Sequence, residues 1–175
     1  MVDFLSPDER SKRMAQIRSS NTSPELILRR ELHRLGLRFT LDNKRLPGKP
    51  DLVFPRHRAI VFVHGCFWHR HPGCSIATTP KSNTSFWQEK FDRNVARDDR
   101  VAARLEELGW RVFVAWECGV QSRVRARETA ERLVRLIRTG DTQESQGRVL
   151  GLNLLAESAG AADLPPKGAN ETSAG

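Results

Sequence analysis

The chain has 175 residues, 38% of them hydrophobic, and its 29 lysines and arginines outnumber its 21 aspartates and glutamates for a net charge of +8. That length supports one domain with its own core, and no apolar run approaches the roughly 20 residues of a membrane-spanning helix. Residues 156–175 hold one lysine against three carboxylates, so the remainder is more basic still, which points to a polyanionic partner, nucleic acid ahead of an anionic membrane surface.

The opening residues MVDFLSPDERSKR lack the apolar stretch of a signal peptide, so a cytoplasmic, reducing compartment is expected. Residues 1–20 read as a basic N-terminal arm, loose to residue 10 and then a short helix or ordered arm carrying Met14 and Ile17. Thr22-Ser-Pro-Glu25 predicts a capped helix start, with Leu28, Leu32 and Leu35 on one face and Gly36 as the stop. Pro47-Gly-Lys-Pro50 is a turn. Asp51–Phe54 and Ala59–His64 follow as strands around a turn at 55–58. Residues 65–74 form a loop, and 75–84 are polar. A long helix is predicted from Ser85, with Ser85-x-x-Gln88 as a second capping box, to Leu108. Its core stripe would be Phe91, Val95, Val101, Leu105 and Leu108. Trp110–Trp116 is a strand with Trp110 and Trp116 in the core, and Cys118 lies just past its end. A helix near Arg123–Arg138 would bury Val124, Leu133, Leu136 and Ile137. Val149–Leu155 is a short edge element, and 156–175 a disordered tail. Strands alternating with long helices predict an α/β fold with a mixed or parallel sheet and helices on its faces.

The segment His64-Gly-Cys66-Phe67-Trp68-His69-Arg70-His71-Pro-Gly-Cys74 carries two of the three cysteines, and Cys118 is the third. In a reducing compartment such a set suits a metal better than disulfides. Thiolates and an imidazole at this spacing fit tetrahedral zinc. Cys66, Cys74 and Cys118 would be ligands, and the spacing leaves His69 and His71 open as the fourth. Four protein ligands would make the site structural. Asp51 at a strand head is a candidate Mg²⁺ ligand, or equally a turn residue. His64 and the histidine left over from the zinc could act as general base or acid. Asp98 and Asp99 are available to orient them, although by pattern alone they read as a solvated helix face. Phe67, Trp68, Phe86 and Trp87 could wedge between base steps. Core packing is the better reading for Phe86, and the two are balanced for Trp68.

Taken together, Pro47-Gly-Lys-Pro-Asp51, His64-Gly-Cys-Phe-Trp-His69, Phe86-Trp87-x-Glu89-Lys90, Asn94-Val95, Arg97-Asp98 and Leu108-Gly-Trp-Arg111 through Trp116-Glu-Cys118 resemble the Vsr-type very-short-patch-repair DNA mismatch endonucleases. The resemblance covers roughly residues 8–140. It implies a restriction-endonuclease-like α/β fold, with a central mixed sheet flanked by helices and a structural zinc site. The implied activity is nicking on the 5′ side of the thymine in a T·G mismatch left by deaminated 5-methylcytosine. The implied partner is double-stranded DNA carrying that mismatch, with mismatch-repair proteins as a further partner class and a monomer as the default state. The endonuclease domain would span 21–155.

The same resemblance implies that Asp51 and the Val63 carbonyl bind Mg²⁺. It makes His69 catalytic with Asp98 as its orienting partner, and leaves His71 to Zn²⁺ with Cys66, Cys74 and Cys118. His64 and Glu25 become supporting groups beside the magnesium. Phe67, Trp68 and Trp87 become the wedge, Lys90 and Asn94 contact the mismatched pair, and Met14 enters the opposite groove. The chain departs from the family where Arg70 and Pro72-Gly73 interrupt a run of histidines, and Ala59–His64 lacks the acid and lysine of ordinary restriction enzymes. The alternatives are a sequence-specific restriction-type nuclease and a non-catalytic zinc-dependent DNA-binding module.

Overall fold

A computed structural model describes residues 20–41 and 44–140, with the backbone of 150–151. Met14 and its arm, the tail 156–175 and most of the predicted edge element therefore lie outside the described residues.

The first helix, α1 (Ser23–Arg34), begins as predicted. Thr22 is its N-cap, Pro24 sits in the first turn, and the Glu25 side chain accepts from the Thr22 amide at 3.3 Å. Strand β1 (Leu52–Phe54) turns through a 3₁₀ segment, Pro55–His57, into β2 (Ala59–His64). The two pair antiparallel with Leu52 opposite Val61. Helix α2 (Thr84–Glu107) then crosses over to β3 (Arg111–Trp116), which runs parallel to β2 with His64 opposite Trp116. Helix α3 (Arg123–Thr139) follows, and a two-residue β4 (Leu150–Gly151) pairs parallel with β3. The sheet order is β1-β2-β3-β4 and the sheet is mixed.

Alternation along the strands divides the core in two. Leu52, Phe54, Val61, Phe113 and Ala115 face α1 and α3, where Leu28, Leu32, Leu133 and Ile137 meet them. Val53, Ile60 and Val112 face the C-terminal half of α2 at Ala102 and Leu105. Both faces are covered, which is why β2 reads as a continuous apolar run. At the strand ends a third cluster forms from Cys66, Val114 and Trp116.

Helix α2 departs from expectation at its start and along its stripe. It begins at Thr84, and its cap is Asn83 in the left-handed region (φ 49°) with no side-chain capping bond. The Ser85–Gln88 box does not form, and Gln88 instead donates to Asp92 at 2.9 Å. Asparagine tolerates this conformation, and the helix phase is set by burial of Trp87. The inward stripe is Trp87, Phe91, Asn94, Asp98, Ala102 and Leu105. The four apolar members are buried, while Asn94 and Asp98 bond to the 65–74 loop. Val95 and Leu108 fall off that phase and are exposed (37% and 41%). Phe86, expected to pack, is 48% exposed, because its neighbour Trp87 takes the inward position. Val124 in α3 is likewise 68% exposed, since the buried stripe there runs Ala126, Thr129, Ala130, Leu133 and Ile137.

The turn before Asp51 is pressed onto α2. A Cβ on Gly48, whose φ is +72°, would lie 2.3 Å from Val101 Cγ1. Gly48→Ala should therefore lower unfolding stability by about 2–4 kcal/mol, with part of the loss recovered when Val101→Ala is added. Urea unfolding of the single and double variants checks this, and an unchanged midpoint for Gly48→Ala would refute the contact.

Candidate active site and metal centre

The loop after β2 is wound from short turns. His69 N–H donates to the Gly65 carbonyl and His71 N–H to that of Cys66, both at 3.1 Å, and Cys74 N–H donates to that of His71 at 3.3 Å. Arg70 sits in the left-handed region at φ 55° between the two histidines. The two imidazoles consequently enter different environments.

His71 turns inward. Its Nδ1 lies 3.6 Å from Cys66 Sγ and 3.3 Å from Cys118 Sγ. With Cys74, the four ligand atoms all fall within 4.8 Å of one another. A tetrahedral ion with metal–sulfur bonds of about 2.3 Å and a metal–nitrogen bond of about 2.0 Å needs ligand atoms about 3.5 Å apart, so this donor set fits one. The ring of His71 stacks on Trp116 at 4.2 Å and 11°. Burial pushes the Cys66 thiol up to about 12 and raises that of Cys118. Burial also opposes ionisation of Cys74, but the amide N–H groups of Ile76 and Ala77 and the neighbouring thiols bring it below its ordinary value. A bound cation stabilises the thiolate form of all three.

His69 turns to the opposite side. Its Nδ1 is 2.5 Å from Asp98 Oδ2, and its ring stacks on His64 at 3.8 Å and 12°. Burial, aided by the charge of His69, drives His64 down to about 3, so it is neutral at neutral pH. Burial raises the Asp98 carboxyl, but the hydrogen bond and charge of His69 outweigh it and hold it below the usual range. Arg97 also meets Asp98, at 3.0 Å. Donor atoms of His64, His69 and Asp98 lie close enough to share an ion. Stacking opposes that, because the in-plane lone pairs of two parallel rings point along separate planes.

Asp51 sits immediately before β1 and reaches across to β2, where its Oδ2 accepts from Val63 N–H at 2.7 Å. Burial raises it to about 6, the Val63 amide counteracts, and the nearby Glu25 carboxylate raises it further. A buried carboxylate in this state is stabilised as an anion by an added cation. Glu25 is buried and heavily bonded: it accepts from the Asn21 amide at 2.9 Å, the Thr22 hydroxyl at 2.9 Å and Arg29 at 2.8 Å. Asp51, Glu25, His64, His69 and Asp98 all line one cleft of about 890 Å³, along with Lys49, Lys90, Arg97 and Trp68.

Beside the cleft, Phe67 makes edge contacts with Trp68, Trp87 and Phe91 at 5.0, 5.6 and 5.2 Å. Trp87 is only 3% exposed. In this conformation it supports Phe67 and Trp68 from behind and offers no face of its own to a base pair. Lys90 Nζ stands 5.3 Å above the Trp68 ring, and Asn94 Nδ2 donates to the Trp68 carbonyl at 3.1 Å. Two contributors escaped the sequence reading. Arg70 stacks over Phe91 at 4.6 Å and donates to the carbonyls of Ala77 and Thr78 at 2.9 and 3.0 Å, tying down the polar stretch after the cluster. Lys49 brings a cation to the cleft from the Pro-Gly turn, and only its place two residues before Asp51 could have marked it.

A buried carboxylate, a histidine–aspartate pair and surrounding cations in one cleft can together supply a cation ligand, an oriented proton acceptor and positive charge facing an anionic phosphodiester. Residues 2–75 match the family model described as DNA mismatch endonuclease Vsr. The chain is 40% identical over 158 residues to DNA mismatch endonuclease Vsr of Escherichia coli, spanning 89% of this chain and 100% of that protein. It is 52% identical over 118 residues to the type II nicking enzyme V.XorIIP of Xanthomonas oryzae pv. oryzae, spanning 67% of this chain and 86% of the relative. With V.NmeAIP of Neisseria meningitidis it shares 41% identity over 138 residues, 79% of this chain and 98% of the relative. The chain belongs to the Vsr family of DNA mismatch endonucleases, so it is a DNA-hydrolysing endonuclease and DNA is its partner. Among the described residues no helix is long and apolar enough to cross a membrane.

The burial of Trp87 yields a direct check. Trp87→Ala should cost about 3–5 kcal/mol of stability, whereas exposed Phe86→Ala should stay within about 0.5 kcal/mol. Equal melting temperatures for the two variants would contradict the packing.

Proposed function

We propose that this enzyme nicks one strand of double-stranded DNA on the 5′ side of the thymine in a T·G mismatch, with Mg²⁺ at Asp51 and the Val63 carbonyl and with structural Zn²⁺ on Cys66, His71, Cys74 and Cys118. The observation that carries this reading is the divergence of two neighbouring histidines. His71 enters the thiol cluster, while His69 pairs with Asp98 in the cleft that Asp51 lines.

The Asp98 carboxylate at Nδ1 orients the His69 ring, leaving Nε2 to take a proton from the water that attacks phosphorus. Neutral His64 backs that ring by stacking. Magnesium, when bound, would supply positive charge against the charge developing on the phosphoryl oxygens. The Glu25 carboxylate, which raises the Asp51 carboxyl by like-charge repulsion, adds negative charge that a cation at Asp51 would meet. The zinc ligands are all protein atoms, so that site is closed and holds the loop.

Phe67 and Trp68 are placed to wedge beside a mismatch, whose weak pairing lowers the cost of distortion. Trp87 serves them as a buried base. Lys90 and Asn94 come from the same face of α2, and Met14 would act from the N-terminal arm. The mixed sheet, with its acidic residue at the head of β1, supports a restriction-endonuclease-like architecture for an endonuclease domain at 21–155. We place the enzyme in the cytoplasm as a monomer, with mismatch-repair proteins as candidate partners. Relatives named as type II nicking enzymes make strand nicking the favoured outcome over double-strand cleavage.

Comparing a T·G duplex with its T·A counterpart, with Mg²⁺ or EDTA, tests the reading, and equal cleavage of both would assign the enzyme to sequence-specific nucleases. Asp51→Ala should abolish nicking while mismatch binding stays within a few-fold, and wild-type turnover by that variant would sink the magnesium assignment. His69→Ala should lose about 10²–10⁴-fold in rate with zinc content unchanged. His71→Ala should lose the zinc. The reverse pattern by atomic emission would exchange the two roles.

A further inference from the structure

Glu117 lies outside the proposed machinery, yet its carboxylate is committed to one peptide plane. It opens the 3₁₀ turn Glu117–Gly119 after β3, and its Oε2 accepts the Cys66 N–H at 3.2 Å. That N–H shares a peptide unit with the Gly65 carbonyl, which accepts the His69 N–H at 3.1 Å. A peptide unit is rigid and planar, so fixing its N–H also fixes where its C=O points. The contact is returned one residue on, where Cys118 N–H donates to Cys66 Sγ at 3.4 Å. Space at this junction is tight: a Cβ on Gly65 would lie 3.3 Å from Trp68 Cδ1 and 3.7 Å from Glu117 Oε2. Glu117 also lines the same cleft as Asp51 and His69.

We propose that Glu117 is a positioning residue for His69. By holding the Gly65–Cys66 peptide plane it aims the carbonyl that anchors the His69 backbone, and so holds the ring against His64 and Asp98. The same plane joins the thiol cluster to the cleft, so order at the metal centre is passed to the histidine through two hydrogen bonds. The function needs an acceptor at Oε, not a charge. This inference rests on the endonuclease reading only for its kinetic consequence.

The test uses full-length wild type, Glu117→Ala and Glu117→Gln. It reads metal content, kcat and KM on a T·G duplex, and the imidazole ¹H–¹⁵N NMR signals of His69. For Glu117→Ala we expect kcat to fall about 10–100-fold, the range set by small misplacement of a catalytic group. KM and metal content should hold, and the His69 signals should move. Glutamine keeps a carbonyl acceptor, so Glu117→Gln should keep kcat within about 3-fold and leave the His69 signals in place. Unmoved signals in Glu117→Ala overturn the proposal, as does a Glu117→Gln as impaired as the alanine variant, which would make the charge itself the active element. Metal loss in Glu117→Ala also overturns it, assigning Glu117 to the thiol cluster alone. If the alanine variant does not fold, the glutamine variant decides by the same two readouts. The NMR readout stands even if wild type fails to prefer T·G, an outcome that counts against the mismatch reading instead.

Discussion

The parallel pairing of β2 with β3 is the constraint on which the rest of the site depends. With His64 opposite Trp116, the two chains leave the sheet together at the same end. Gly65–Cys66 therefore emerges beside Glu117–Cys118, residues more than fifty positions away in sequence. A parallel pair requires a long crossover, and α2 is that crossover. One arrangement thus brings Cys118 to Cys66 and His71, and carries Asp98 over the loop to meet His69. Loss of the β2–β3 register would separate the thiol–imidazole cluster and the histidine–aspartate pair in one step.

Helix α2 shows how function is written into a core stripe. Its two ends are apolar, Trp87 and Phe91 under the loop and Ala102 and Leu105 on the sheet. Between them the inward positions belong to Asn94 and Asp98. Polar residues on the inner face of a helix weaken packing unless their bonds are satisfied. Here each bonds to the 65–74 loop, Asn94 to the Trp68 backbone and Asp98 to the His69 ring. The helix gives up hydrophobic burial in its middle and gains two residues that hold the proposed wedge and the proposed base by direct hydrogen bonds.

The electrostatics follow from burial. Asp51 is held at about 6, His64 at about 3 and Cys66 at about 12, each mainly because the interior disfavours its charged form. For Asp51 and the thiols a bound cation would offset that penalty, which would couple metal binding at these sites to folding. For His64 the neutral state suits a supporting ring beside the proposed base. Strain and desolvation gather at functional sites in this way because the rest of the fold supplies the stability to hold them.

Much was legible along the chain. The Thr22–Glu25 cap, β1 and β2, the β3 strand with Trp116 buried and the Cys/His cluster all follow from local chemistry: capping geometry, period-two burial and the rarity of clustered thiols. The phase of α2 was less so. Val95 and Leu108 looked like core residues, and the inner face went to Asn94 and Asp98, because a periodicity count cannot know that a helix packs on a loop midway. Trp87 appeared in sequence as part of a wedge, and packing beneath Phe67 buried it. Spacing alone could not separate His69 from His71, since either could complete four ligands with the cysteines. The tertiary structure separated them, because the left-handed Arg70 turn sends one ring to Trp116 and the thiols and the other to His64 and Asp98. Residue types determined which chemistry this protein has available, and the pairing of two parallel strand ends decided where each of those residues stands and which neighbour it meets.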